Sequence, residues 1–381
     1  MAILKNNKNS KNNKNNEHPV ITAPATGRQS SKAFGIFAAE SSSLREESRI
    51  YYSLRQQVPV IDAAITKLVR LTGGFGIKCD TSSWDKECDS LLKSIPVNGV
   101  SKGIYAFTDA FFEQLLTVGT AVGEIVTDRH GHPVGLFNSP VDSVSFKRAE
   151  NGFDVDIFVE DGVKETRAQN KDRILLGVLN PVPGKITGQS LLKGLPFVSS
   201  ILLKIYETIG ENWERAGAVR YAVTYKPGAD PQDKSLAGER AKQIAKSFGE
   251  AMKSGGDIKD FVAVGDVQIK VIGSDSAILD PKVPVQQMLE QIIAKTGLPP
   301  FMLGFSWSTT ERMSSQQADV LTSEIEGYRR ILTPVIEKIV RAFMADLGYS
   351  GKLTVQWDDI TLLDEVEQAK AELYRRQAEK C

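Results

Sequence analysis

The hydrophobic positions of this chain change period several times, and each change marks an element. From Leu44 to Leu71 apolar residues recur at helical spacing, with Val60, Ile61, Ala64, Ile65, Leu68 and Val69 on one face. That pattern is interrupted near Val58-Pro59 and stopped by Gly73-Gly74. Phe75–Asp80 reads as a strand, Trp84–Ser94 and Gly103–Val118 as helices, and Thr120–Thr127 as a strand running into a hairpin turn at Arg129-His130-Gly131-His132. Residues 133–180 hold short β patterns, VGLF, VSFKR, FDVDIFVE and ILLGVL, and Pro181-Val182-Pro183-Gly184 closes this mixed body.

A long helix is predicted over Leu191 to Ala216, with Gly188-Gln189-Ser190 supplying its N-cap. Val198, Leu202, Ile205, Ile209 and Trp213 follow one another at steps of 4, 3, 4 and 4, one narrow apolar stripe, while Lys204, Glu207, Glu211 and Glu214 take the opposite face. A helix of about 25 residues runs ~38 Å at 1.5 Å per residue. Such a length suits packing beside copies of itself better than burial in one globular core. Next come a strand (Val219–Tyr225), an amphipathic helix (Lys234–Lys253) and two short strands within Phe261–Ile272. The helical pattern resumes over Val283–Thr296 and is expected to end at Pro299-Pro300, so two helices bracket a small β-α-β-β module.

The segment GLPPFMLGFSWSTTERMSS, residues 297–315, then leads into one more long helix, Glu311 to Leu347. Pro334 lies inside that helix and predicts a kink, or a split at Leu332-Thr333. A strand (Lys352–Trp357) and a charged helix (Leu362–Ala378) complete a pattern that is α+β throughout.

With 381 residues the chain exceeds what one core organises, so two or three subdomains are expected. Lys plus Arg and Asp plus Glu both number 47, and this balance points to neither a nucleic-acid nor a membrane partner, though it can hide a patterned surface. Residues 5–16 are Asn interspersed with Lys5, Lys8, Lys11 and Lys14, and little before residue 43 could build a core. A flexible tail is the plain reading, and a basic arm touching nucleic acid the sharper one. Cys79, Cys88 and Cys381 contain no CxxC pair, which argues against a disulfide framework or a zinc site and for a reducing compartment. Ala2-Ile3-Leu4 is too short for a signal-peptide core, and Leu191–Ile209, the nearest approach to a membrane span, carries Lys193, Lys204 and Glu207.

The search for chemistry finds no catalytic set, cofactor motif or metal site. There is no GxxxxGK[ST] phosphate loop and no GxSxG elbow, and Gly73-Gly74-Phe75-Gly76 is a helix stop outside the strand-turn-helix context of a dinucleotide fingerprint. His130 and His132 flank a glycine in a turn and lack further clustered ligands, so they read as a surface turn. Asp358-Asp359 and Asp364-Glu365 read as solvated turns. A two-metal nuclease would draw acids from several elements, and that enzymatic alternative stays open.

The most specific stretch is Gln286–Val335. Ile293, Ala294, Gly297, Leu298, Pro299, Pro300, Met302, Leu303 and Gly304 end one helix, a polar loop follows, and Leu332 and Pro334 sit mid-way in the next. In these residues, and in the order of elements from about 44 to 375, the chain resembles the portal proteins of tailed bacteriophages, of the compact type found in long-tailed phages and prophages. The resemblance implies an α+β portal-like fold in a ring, usually of twelve subunits, at one vertex of the capsid. Residues 1–43 would be a disordered tail, 44–190 the wing, 191–216 and 283–300 the stem, 217–282 the clip, 313–361 the long helix with a strand returning to the wing, and 362–381 the start of a crown. Residues 301–312 would be the tunnel loop, with Phe305, Ser306, Trp307, Ser308, Thr309, Thr310 and Arg312 facing double-stranded DNA without reading its sequence. Val198, Leu202, Ile205, Ile209 and Trp213 would contact the neighbouring subunit. Gly297, Pro299, Pro300 and Gly304 would stop the stem helix, and Pro334 would kink the long one.

The further partners implied are the terminase large subunit, the head–tail adaptor and the capsid and scaffolding proteins. The chain would act in the virion, after assembly in the host cytoplasm, without enzymatic activity. A channel wall agrees with the residues, since several firm phosphate contacts would hold the duplex fast and Arg312 is the one cation between 300 and 320. A structural ring of the head–tail connector without a channel role, and a metal-dependent nucleic-acid-processing enzyme, are the competing readings.

Overall fold

The computed structural model describes residues 44–360, apart from 151–153, 161–164, 169, 218–219, 228–229, 252–265, 273–279 and 306–310. Two helices, α1 (Leu44–Gln57) and α2 (Pro59–Leu71), meet at Val58, and Pro59 opens the second, where its missing N–H costs nothing. Strand β1 (Phe75–Cys79) and α3 (Asp85–Ser94) follow, then two short strands, β2 (Pro96–Val97) and β3 (Ser101–Lys102). Helix α4 (Ile104–Val118) is the centre of the body. Its Phe107, Phe111, Phe112, Leu115 and Leu116 are all at most 1% exposed, which is why its hydrophobic face runs almost all the way round.

Helix α4 lies on a five-stranded sheet in the order β3-β2-β5-β4-β9, where β4 is Thr120–Thr127, β5 Pro133–Ser139 and β9 Ile174–Val178. All its pairings are antiparallel except β2 with β5. Gly123 and Gly177 make room for the helix: a Cβ on either would stand 2.5 or 2.8 Å from the Phe107 or Phe111 ring. A separate antiparallel sheet joins β6 (Val144–Arg148), β7 (Val155–Glu160) and β8 (Glu165–Arg167).

Three further segments continue the chain. Helix α5 (Leu195–Gly217) leads to β10 (Arg220–Lys226), a short α6 (Pro231–Ser235), α7 (Ala237–Ala251) and β11 (Asp266–Ile272), with β10 and β11 paired antiparallel. Helix α8 (Lys282–Thr296) follows and packs against α5. Helix α9 (Glu311–Asp346) then crosses back over the body, with Leu321, Ile325, Leu332, Ile336, Ile339 and Val340 each at most 1% exposed, and β12 (Leu353–Trp357) closes the fold by pairing antiparallel with β1.

Several sequence expectations shift. The long helix begins at Leu195 rather than Leu191, because residues 191–194 form a turn that ends on Gly194 at φ 90° and the helix opens with Leu195-Pro196. Ser190 is therefore not its cap. The Ser190 hydroxyl donates to the Thr117 carbonyl at 2.6 Å and accepts from the Leu192 N–H at 2.9 Å, tying the turn to the end of α4. The helix expected over Lys234–Lys253 is split into α6 and α7. One strand, β11, stands within the expected pair at Phe261–Ile272, where residues up to 265 lie outside the described residues. Pro334 does not split α9, which runs unbroken over 36 residues. The N-terminal tail, residues 1–43, and the expected helix at 362–378 lie outside the described residues.

Candidate subunit-contact and channel surfaces

The stripe on α5 is covered at one end and bare at the other. Leu202 is 1% exposed in the main core, and Val198 packs against it partly buried. One and two turns further, Ile205 and Ile209 are half-buried, and Trp213 is 67% exposed. The same helix turns Tyr206 and Phe197 outward as well. Helix α8 repeats the arrangement: Leu289, Ile292 and Ile293 are buried, while Val283 in its first turn is 60% exposed. Apart from Phe197 in the first turn of α5, the part of the α5–α8 pair nearest the body is covered within one chain, and the part furthest from it displays large apolar side chains to solvent. Aromatic residues such as Trp and Tyr are enriched at contact surfaces relative to the rest of a protein's surface.

The stop of α8 is made by Gly297, not by the prolines. Gly297 takes φ 71°, and its N–H donates to the Ile293 carbonyl at 3.0 Å, a left-handed C-terminal cap. Pro299 follows in extended conformation, and Pro300–Leu303 form a short 3₁₀ turn closed by Gly304 at φ 84°. The Phe305 N–H returns to the Pro300 carbonyl at 3.0 Å. Met302, Leu303 and Phe305 pack against the core, so Phe305 belongs to the anchored root of the loop. Ser306, Trp307, Ser308, Thr309 and Thr310 lie outside the described residues, and Arg312 falls in the first turn of α9. Where α9 passes the end of α8, a cleft of about 410 Å³ opens, lined by Ile293, Leu298, Pro299, Pro300, Gln317 and Val320, the last 63% exposed.

The segments on either side of residues 306–310 reach the core. Leu298, directly after the glycine cap, is 1% exposed, and on the far side Ala318, Leu321 and Ile325 of α9 are buried. Loop ends anchored in a core can carry a short polar tip without further support.

The histidine turn is a hairpin end. Asp128 Oδ1 accepts from the His130 and His132 N–H groups, both at 2.9 Å, and His132 Nδ1 lies 2.5 Å from Asp346 Oδ1 at the end of α9. Among the described residues no group of three His, Cys, Asp or Glu side chains could hold a metal ion. None of the described helices is long and apolar enough to cross a membrane.

Sequence reasoning singled out the stripe on α5 and did not single out Phe197, Tyr206, Val283 and Val320, which the structure leaves exposed. Their signal was present as large apolar residues off the counted stripe or in the first turn of a helix.

No protein-family model matches the chain, and no curated protein matches it. Solved structures do. A chain in the neck of an empty gene transfer agent particle, computed with C6 symmetry, superposes with a TM-score of 0.65 at 14% identity, over 86% of this chain and 88% of that one. A chain in the neck of the native particle, computed with C12 symmetry, gives 0.64 at 15% identity, over 86% and 89%. A crystal structure of an HK97 family phage portal protein from Corynebacterium diphtheriae gives 0.43 at 14% identity, too loose a likeness to weigh. At these identities the likeness is one of fold. The chain has the α+β fold expected from its sequence, shared along most of its length with a chain of a gene transfer agent particle neck.

Proposed function

We propose that this protein is a portal: a closed ring, of twelve copies, at one vertex of a phage-like capsid. Double-stranded DNA enters and leaves through it, and it docks the terminase large subunit and the head–tail adaptor. The observation that carries this reading is the fold shared over 86% of the chain with a chain of gene transfer agent necks. The bare ends of α5 and α8 agree with it, because a head-to-tail contact that closes on itself gives a ring and leaves such surfaces uncovered on one copy alone.

In this reading residues 44–190 form the wing, α5 and α8 the stem, and the β10–β11 module between them the clip. The segment 301–312 is the tunnel loop, its root held by Met302, Leu303 and Phe305 and its tip formed by residues 306–310. The chain works without catalysis. Its channel segment offers a single cation, Arg312, so it guides the duplex without gripping it. The wing meets the capsid and scaffolding proteins, and the protein passes from the host cytoplasm to the virion.

Deleting residues 306–310 tests the channel role. Rings are expected to form as in the wild type, with DNA packaging or retention impaired in a packaging assay. Unchanged packaging by assembled mutant rings would contradict it.

A further inference from the structure

Three adjoining clefts run along α1. One of about 680 Å³ opens between α1, α2 and α4, a second of about 530 Å³ shares Tyr52 and Gln56 with it, and a third of about 500 Å³, at the Leu44 end, shares Asp142 with the second. The helix they follow has 14 residues, or ~21 Å at 1.5 Å per residue. Seven cationic side chains line this furrow against three carboxylates, a surplus of four. Two of the carboxylates are already engaged by one arginine. Arg55 donates from Nε and Nη2 to Asp62 Oδ1 at 2.9 and 2.7 Å, and from Nη1 to Glu113 Oε1 at 2.6 Å. Arg49, Lys67, Arg70, Arg148 and Lys185 are exposed and form no ion pair with any described residue. Like charges gathered in one concavity repel, and an acidic occupant relieves that repulsion.

The lining discriminates between occupants. Pro59, Ala63 and Ile186 offer apolar surface, which a phosphate backbone cannot cover, and Asp142, the carboxylate that Arg55 does not engage, would face its phosphates. The chain's own first 43 residues enter at the Leu44 end but carry six Lys and Arg against Glu17 and Glu40, the wrong sign. A helix face mixing carboxylates with apolar side chains fits both properties, and the fold displays such a face elsewhere. Helix α9 exposes Glu324 one turn on from Val320, with Asp319 next to it. Two complementary surfaces on different parts of one chain are what a head-to-tail contact requires.

We infer that the furrow along α1 is filled, in the assembled ring, by an acidic and partly apolar helix face of the neighbouring copy. This rests on the ring reading above. The test compares the full chain with its R49E/R148E/K185E variant, by sedimentation velocity together with far-UV circular dichroism. All three substituted side chains are exposed, so the variant is expected to keep the wild-type spectrum while remaining unassembled at concentrations where the wild type forms rings. Lys67 and Lys185 are expected to react with an acylating reagent roughly tenfold more slowly in wild-type rings than in dissociated wild-type protein, as residues inside a contact do. A variant that assembles like the wild type, or lysines that react equally in both states, would overturn the inference and leave the ring reading standing. A wild-type chain that never assembles overturns the ring reading itself. If the wild type binds a short DNA duplex, the variant loses that binding, and both assemble normally, the furrow belongs to phosphates and the inference is wrong.

Discussion

Arg329 donates from both Nε and Nη2 to the carbonyl oxygen of Thr72, at 2.9 and 2.7 Å, across 257 residues of chain. The acceptor sits at the C-terminal cap of α2, and the guanidinium lies 5.0 Å over the Trp357 ring, whose Nε1–H donates to Thr333 Oγ1 at 3.0 Å. One arginine thus joins the long helix, the first helical pair and the closing strand. Burial pushes its pKa below the ordinary arginine value, with Asp358 among the carboxylates that pull it back up. Replacing Arg329 by Ala is expected to cost about 2–3 kcal/mol, since it removes charge-assisted hydrogen bonds and leaves a buried carbonyl short of donors. Arg329→Lys should recover only part of this, lacking the two-pronged donor. Calorimetric melting checks it: an unchanged Tm in Arg329→Ala would show that the contact carries no weight.

Along the α5 stripe, burial falls from Leu202 through Ile205 and Ile209 to Trp213, and substitutions should divide accordingly. Leu202→Asp places a charge in the core and is expected to abolish folding. Ile209→Asp and Trp213→Ala change half-buried and exposed positions, so the monomer should keep its melting temperature within about a degree while assembly fails or weakens. Gel filtration beside thermal melting separates the two effects. Rings formed normally by Ile209→Asp would mean that this face does not meet a neighbour.

His132 and Asp346 give the fold a pH-dependent tie between the β4–β5 hairpin and the end of α9. The hydrogen bond to Asp346, reinforced by its charge, raises the His132 pKa above 6.5. A raised folded-state value means the protonated pair stabilises the fold fully below the unfolded value near 6.5 and loses that contribution as pH rises through the higher folded value. Asp346→Asn should therefore lower the Tm at pH 5.5 and leave it nearly unchanged at about pH 8.5. Equal effects at both values would rule out the ion pair.

Gly188 is wedged between two backbone carbonyls. A Cβ there would stand 2.1 Å from the Leu179 oxygen and 2.2 Å from that of Gly119. Backbone cannot yield as a side-chain tip does, so Gly188→Ala is expected to destabilise by roughly 3 kcal/mol or more, the upper end of overpacking. Denaturant unfolding measures it, and a midpoint equal to the wild type would contradict the packing described.

Where periodicity and glycine positions act locally, the sequence was readable almost to the residue. The strand expected at Thr120–Thr127 has those bounds, and the break at Val58-Pro59 and the stop at Gly119 are where local chemistry places them. Contacts made across the chain were beyond such reasoning. Nothing in Phe75–Cys79 identifies Leu353–Trp357 as its pairing partner, and Arg329 looks like one more charged residue in a helix until Thr72 is beside it. The start of α5 was misjudged because a Ser before an apolar run resembles a cap, whereas this one binds the end of another helix. Pro334 resembled a break, yet α9 runs through it, with Thr333 Oγ1 donating to the Arg329 carbonyl at 2.7 Å in the turn beside it. For the proposed contact surface, the α5 stripe was visible as a period. Which part of it the chain leaves uncovered was visible only in the structure.

The central claim is that copies of this chain close into a ring around a channel. Class-averaged electron micrographs of the purified protein test it most directly. Closed, cyclically symmetric particles with a central opening are predicted, twelve copies to a ring; monomers at every concentration, or assemblies without an opening, would contradict the account.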